Sequence, residues 1–415
     1  MRAVRLAFLG AALAAAACVE DVAAPGKCPD YCPSGQITVV DTVLDAVISR
    51  DSAFRGYVTP HQAGVMVAAD TPFVDSRPIF RFSAIGQSLP VTATDTGVIK
   101  GADSARLELF ITRRDSAASN LTLRLYRLPI DIDTTTTFDQ LLTSFVPDSL
   151  VKTVNIDTLL AQPGLRDPVT GDSVVVDTTN HRLLLLLKLD ATQGRYVAAD
   201  SGKVAYGVRV SADSFASIAL GKGDIGPLLQ WYLVVDSLDT DVKKTPGLRA
   251  TPVATFVFDP PPVPIDSTLA VGGIPSARSF LRVAFPRGIR DSAQILRGTL
   301  ILRPAVAARG APVDSFVVEA HTVLADFGAK SPLALDVTRT DTTIIHVDSL
   351  NPVEIEVTNL LRFWQQDTTQ ATTLAVRAKY EGADFAEVRF YPSSAAASRP
   401  ALHVTYVPRF PFGKP

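Results

Sequence analysis

Aromatic side chains make up only 7% of the 415 residues, with two tryptophans, and the chain has five histidines and three cysteines. Few aromatics leave little material for sugar-stacking platforms, which need exposed Trp or Tyr rings. The histidines, His61, His181, His321, His346 and His403, stand apart, with no His-x-His or His-x-x-x-His spacing for a metal. No Gly-x-Ser-x-Gly elbow marks a nucleophile. Aspartates are abundant, but none stands in a context that picks out a carboxylate pair for glycoside chemistry. Lys/Arg runs are missing too, and 40 basic residues face 42 acidic ones, a formal charge of −2. That balance argues against nucleic acid as a partner, because phosphate binding requires clustered basic surface. No apolar run reaches the roughly 20 residues of a spanning helix.

What the chain does have begins at its first residues. Arg2 and Arg5 precede an apolar run from Leu6 to Ala17 that stops at Ala15-Ala16-Ala17-Cys18. A basic region, an apolar region and small residues before a cut are the parts of a secretory signal. A cysteine directly after the small residues resembles the bacterial lipobox, which implies a signal peptide over 1–17 and lipidation of Cys18. Val19 stands where inner-membrane lipoproteins often carry Asp, so the resemblance implies the outer membrane, with the protein anchored there by its lipid. Once Arg2 and Arg5 leave with the signal, 38 basic residues face 42 acidic ones and the formal charge becomes −4. Residues 18–35, rich in Ala, Pro, Gly and Asp, have the composition of a tether. Cys28 and Cys32 lie inside it. In an oxidising envelope the favoured reading is a small disulfide loop between them. Free thiols and a metal site are the alternatives, and the latter lacks two further ligands nearby.

From residue 36 onward the pattern is β almost everywhere. Apolar runs of strand length are bounded by Pro, Gly, Asp, Ser and Thr. Examples are Ile37 to Val43, Ile79 to Phe82, Ala105 to Thr112, Leu121 to Tyr126, Leu183 to Leu189, Leu228 to Val235, Ser315 to Ala320 and Leu402 to Tyr406. The composition fits an all-β protein. Two short helices are expected, at Phe138 to Leu142 and at Asn359 to Gln366, the latter with Thr358 as its cap. The Asp-Thr strings at Asp133, Asp177, Asp341 and Asp367 are expected to mark turns, where the Asp side chain bonds the following backbone. A structural Ca²⁺ held by such loops is the alternative, without an EF-hand spacing to support it.

Internal repetition organises these strands. Arg77-Pro78-Ile79-Phe80-Arg81-Phe82 matches Arg278-Ser279-Phe280-Leu281-Arg282-Val283, and Ser104 to Leu109 matches Gly298 to Leu302. Ala205 to Val210 matches Thr373 to Ala378, and Pro227 to Tyr232 matches Pro400 to Tyr406. Four matches in one order point to two copies of one fold, at 36–240 and 265–408, joined by a linker over 241–264. Each copy is expected to own its core.

The second copy resembles a known family. Arg278 to Phe285, Ala293 to Leu302, Val357 to Trp364, Val388 to Tyr391 and the closing Ser398-Arg399-Pro400-Ala401-Leu402-His403-Val404-Thr405-Tyr406 are similar to the signature stretches of the DNRLRE, or disaggregatase-related, domains. The first copy departs from the pattern: no Arg-Pro opens its last strand, and Asp/Thr insertions interrupt it. The resemblance implies two tandem jelly-roll-like antiparallel β-sandwiches, similar to carbohydrate-binding modules and without catalytic residues. Arg278, Arg282 and Arg399 are candidate ligand cations, although strand-end arginines more often pack their stems and pair with carboxylates. Trp231 and Trp364 are candidate sugar platforms, with core plugging the favoured role for both. The expected function is non-enzymatic: an envelope-anchored lipoprotein for glycan binding, adhesion or assembly with another envelope protein. A polysaccharide-active enzyme or its accessory subunit is the alternative.

Overall fold

The structure is a computed structural model that describes residues 38–408 apart from 72–73, 115–117, 214–215, 237–240, 260–266, 310–314 and 326–333. The signal, the tether and with them Cys18, Cys28 and Cys32 lie outside the described residues. The chain is all-β, and every strand pairing is antiparallel.

A leading strand pair, β1 (Val40–Leu44) and β2 (Ile48–Arg55), precedes the first unit. That unit comprises β3 (Val65–Thr71), β4 (Val74–Phe82), β5 (Ser88–Pro90), β6 (Thr96–Arg114), β7 (Thr122–Leu128), β8 (Leu150–Asn155), β9 (Ser173–Asp177), β10 (Arg182–Asp190), β11 (Val204–Ser211), β12 (Ala216–Gly221) and β13 (Leu228–Val235). A second strand pair follows, β14 (Val242–Lys244) and β15 (Val253–Phe258). The second unit comprises β16 (Leu269–Gly272), β17 (Ala277–Val283), β18 (Ala293–Leu302), β19 (Pro304–Arg309), β20 (Ser315–Ala325), β21 (Ala334–His346), β22 (Val353–Glu356), β23 (Thr373–Ala378), β24 (Glu387–Phe390) and β25 (Ala401–Pro408).

Strand β6 is the spine of the first unit. Its period-2 apolar residues Leu107, Leu109 and Ile111 point inward and are fully buried. Its length pairs with β13 and β10, while its C-terminal end pairs with β12. One 13-stranded sheet therefore folds over on itself around the core. In the second unit the corresponding run is split, because Pro304 has no N–H to give to the ladder. β18 ends at Leu302 and β19 starts at Pro304, so a four-stranded sheet (β1-β25-β18-β22) packs over an eight-stranded one.

The repeated strings fall on strands that pair in the same register. Arg81 faces Ala205 across β4 and β11, and Arg282 faces Thr373 across β17 and β23. Ala105 faces Trp231 across β6 and β13, just as Gly298 faces Val404 across β18 and β25. The correspondence extends to strands outside the four strings: β12 pairs β3 as β24 pairs β16, and β7 pairs β11 and β8 as β20 pairs β23 and β21.

The leading strand pairs do not stay with the units they precede. β2 lies on β17 of the second unit, with Arg50 facing Arg282, and β1 lies on β25, with Leu44 facing Leu402. β15 lies on β4 of the first unit, with Val253 facing Arg81, and Arg249 just before it bridges to Leu229 of β13. Each pair thus fills the same place, in the same register, on the other unit's sheets. This is a reciprocal strand exchange within one chain. It also brings the chain's first described strand onto its last, β1 on β25.

Two expectations are corrected by this exchange. Residues 241–264 are not a simple linker: β14 and β15 belong to the first unit's sheet, and Val253, Ala254, Phe256 and Val257 are buried. Nor does each copy own its core, since Val47 and Ile48, sequentially in the first copy, are buried in the second core. The two units also share a contact. Phe385 packs against Phe258 and Phe256 at ring-centroid distances of 5.3 and 6.3 Å, and Arg113 pairs with Asp384 at 3.0 Å. Gly382, at φ +71°, permits close approach there, because a Cβ would lie 2.8 Å from Val58 Cγ1.

The helices also differ in detail from expectation. The first is a 3₁₀ turn over Asp139–Ser144, and the second is an α-helix over Thr358–Gln366. Thr358 is its first residue, not its cap. The Thr358 hydroxyl is engaged elsewhere, accepting from the Gly298 N–H at 2.7 Å. Asp133, Asp177 and Asp367 do make the expected turns, each accepting from a backbone N–H two or three residues on. Asp341 does not: it sits inside β21, opposite Ala320.

Candidate binding groove

Across β13, β6, β10 and β9 the strand alternation sorts side chains into two faces. Inward go Leu229, Trp231, Leu107, Leu109, Leu185 and Leu187, all fully buried. Outward, the register aligns Gln230, Arg106 and Lys188 in one row, and Tyr232, Ser104 and Asp190 in the next. This outer face forms the floor of a cleft of about 260 Å³ lined by Arg106, Arg166, Ser173, Leu186, Lys188 and Tyr232. A second cleft of about 510 Å³, lined by Lys152, Thr153, Val169, Thr170, Asp190 and Gln193, adjoins it, and Lys188 lines both. Together they make a groove.

The positions of its cations follow from local structure. Lys152 and Asp172 form a buried ion pair of 2.7 Å with side-chain exposures of 8% and 1%. This pair holds the Lys188 backbone from both sides: Asp172 Oδ1 accepts from the Lys188 N–H at 2.8 Å, and Lys152 Nζ donates to its carbonyl. Arg166 sits on a loop closed by Asp167, whose Oδ1 accepts from the N–H groups of Val169 and Thr170 at 2.9 and 2.7 Å. Those bonds hold the exposed Asp167 carboxyl below its ordinary range, with the Thr170 bond the largest cause. The loop can lie on the Lys188 stem because residue 171 is glycine, at φ +73°. A Cβ there would come within 2.8 Å of Lys188 Cδ.

The charges in the groove are unequally matched. Arg106 pairs with Glu108 at 2.8 Å, while its buried Nε has no hydrogen-bond partner. Arg166 and Lys188 Nζ have no ion pair or hydrogen bond among the described residues. Asp190 spends Oδ1 on the N–H groups of Thr192 and Gln193, at 2.8 and 2.9 Å. Tyr232 presents its ring at 38% exposure.

None of the five candidate contact residues lines this groove. Trp231 is on the right strand but the inner face, fully buried, with Nε1 donating to the Gly194 carbonyl at 2.8 Å. Trp364 is equally buried, donating to Thr322 Oγ1 at 2.8 Å, with Phe285 edge-on at 6.3 Å. Both plug cores and neither offers a ring to a ligand. Arg278 lies 4.3 Å over the Tyr57 ring and pairs twice with Glu381, at 2.8 and 2.7 Å. Its counterpart in the first unit, Arg77, lies over Phe138 and Phe145 and pairs with Asp75. The repeated arginine therefore has the same structural work in both units. Arg399 donates to the Ala396 carbonyl within a turn, and Arg282 is an exposed strand residue.

A second charged cluster, on the eight-stranded sheet, joins Glu319, His321, Arg377 and Glu381. Burial raises the Glu319 pKa, but the His321 hydrogen bond and the Arg377 charge outweigh it and hold the carboxyl below its ordinary range. This cluster satisfies itself. Among the described residues no group of three or more His, Cys, Asp or Glu is placed to hold a metal ion.

No protein-family model matches the chain, and no curated protein does. Among solved structures, a chain titled BspA_C_WT is 8% identical, with 84% of this chain and 87% of that one covered, at a TM-score of 0.15. At that level the likeness carries no argument.

Proposed function

We propose that this protein is a non-catalytic, lipid-anchored envelope protein whose strand-exchanged β-sandwiches present a glycan-binding groove. One observation carries the reading: a groove on a sheet face, lined by the exposed ring of Tyr232 beside Ser104, Arg106, Arg166 and Lys188. A ring beside convergent polar groups is what a sugar needs, since its apolar face stacks and its hydroxyls accept and donate. The resemblance of the second copy to DNRLRE domains agrees with a non-catalytic surface role. A screen of residues 36–415 on a glycan array is the test, with Tyr232→Ala beside it. Binding is expected, and the variant is expected to lose about 5- to 10-fold in affinity, the worth of one ring contact. An array without hits, or hits that survive Tyr232→Ala unchanged, would contradict the reading.

The anchor is the second part of the proposal. Lipidation of Cys18 after removal of residues 1–17 would place the body at the outer membrane, with the acyl chains supplying the affinity. Cys18→Ser is expected to shift the protein from the membrane fraction to the soluble fraction, or to leave the signal uncut. An unchanged membrane fraction would remove the anchor from the account.

A further inference from the structure

We infer that the groove selects anionic saccharides, those carrying a carboxylate or a sulfate ester. The inference rests on the reading of this groove as a glycan site and names the class of glycan. The balance of charge in the groove carries it. Three cations, Arg106, Arg166 and Lys188, converge on one cleft. The nearby carboxylates are already engaged: Glu108 by Arg106, Asp172 by Lys152, and Asp167 and Asp190 by the N–H groups of their own turns. Arg166 and Lys188 Nζ have no counter-ion among the described residues.

Several strand arginines elsewhere on this protein are matched with carboxylates: Arg77 with Asp75, Arg278 with Glu381, Arg55 with Glu387. In the groove Arg106 follows that pattern with Glu108, but Arg166 and Lys188 do not, although the Lys188 backbone is firmly held. The buried Lys152–Asp172 pair fixes the Lys188 backbone, and Gly171 allows the Arg166 loop to rest on the Lys188 stem. Arg106 and Lys188 face each other directly across β6 and β10, so like charges stand side by side. An anion between them relieves that repulsion, and a neutral sugar does not. The planar guanidinium fork of Arg166 suits a carboxylate or sulfate, which it can engage through two parallel bonds.

The test is calorimetric titration of residues 36–415 with three tetrasaccharides: tetragalacturonate, a sulfated carrageenan tetrasaccharide free of uronate, and neutral cellotetraose. At least one anionic probe is expected to bind about 10-fold or more tightly than cellotetraose, and to weaken as salt is raised. Whichever anionic probe binds tighter identifies the source of the charge. Arg166→Ala and Lys188→Met, the latter keeping most of the stem, are each expected to weaken that binding by about 10-fold, the worth of one charge-assisted bond. Both residues are exposed, so the melting temperature should stay as in the parent protein and misfolding is separately controlled. Equal or tighter binding of cellotetraose overturns the anionic class and leaves the glycan reading standing. Binding of none of the three overturns the inference and the glycan reading together.

Discussion

A chain that starts at Gly56, and so lacks the leading pair β1 and β2, is expected to lose the native packing of its second unit while keeping most of the β-structure of the first. Removing the pair bares one edge of each sheet in the second unit: β25 loses β1 and β17 loses β2. It takes Val47 and Ile48 out of the core, where they are 5% and 7% exposed. At about 1.5–3 kcal/mol for each fully buried aliphatic side chain, those two alone account for about 3–6 kcal/mol. The bidentate Arg55–Glu387 pair, at 2.5 and 2.6 Å, and the Phe54–Phe280 contact are lost as well. Domain stabilities are about 5–15 kcal/mol, so these losses together take up much of the margin and all of its lower end. The unpaired edges add an aggregation hazard. Trp364 reports the outcome: its fluorescence is expected to move to the wavelength of a hydrated indole, and amide protection in β17, β18 and β25 is expected to collapse. Retained protection in those strands would mean that the second unit folds without its borrowed pair.

The second large effect belongs to Trp364 itself. Trp364→Ala in the otherwise intact protein is expected to cost about 3–5 kcal/mol, the usual price of emptying a large buried aromatic site. The indole fills the space between the helix Thr358–Gln366 and the sheets, among Leu360, Leu361 and Phe285. Its loss also orphans the Thr322 hydroxyl, which is buried. Trp364→Phe restores most of the volume but not that bond, and is expected to lie between the parent and the alanine variant. Denaturant midpoints measured on the three proteins decide it. A midpoint for Trp364→Ala close to the parent would mean that the ring is exposed, contrary to its burial.

Much of the fold is legible in the sequence because it depends on local pattern. The apolar runs at 105–112, 183–189 and 228–235 are strands because period-2 Leu, Val and Trp residues have one core face to fill, and the turns between them carry the Asp-Thr chemistry that closes Asx turns. The matched strings around Arg77 and Arg278 identify the repeat, and the structure places them in equal register. The strand exchange was not legible. Nothing in Ile48–Arg55 or Val253–Phe258 says which of two nearly equivalent sheets each will join, because both edges offer the same ladder. Val253-Ala254-Thr255-Phe256-Val257-Phe258 is a continuous apolar run of strand length, the one local sign against a linker.

The groove was half legible. Alternation fixes that Trp231 and Tyr232 point to opposite faces, but not which one faces water. The choice is made by Leu229, Leu233 and Val235, which share the face of Trp231 and are all buried. The cations are not legible in the sequence for a different reason: Arg106, Arg166 and Lys188 are far apart in the chain and meet only through the pairing of β6 with β10 and the loop that ends at Gly171.

The closure of two repeats into one body by exchanged strand pairs is the claim on which the placement of the groove and the sharing of the cores depend. It is tested most directly by inserting a protease site after Pro262, between β15 and β16, and cutting the folded protein there. The first fragment then holds β1 and β2, which belong to the second fragment's sheets. The account predicts that the cut protein migrates as a single particle of unchanged mass in native sedimentation, and that its two fragments part only in denaturant. Two separate, folded fragments under native conditions would contradict it.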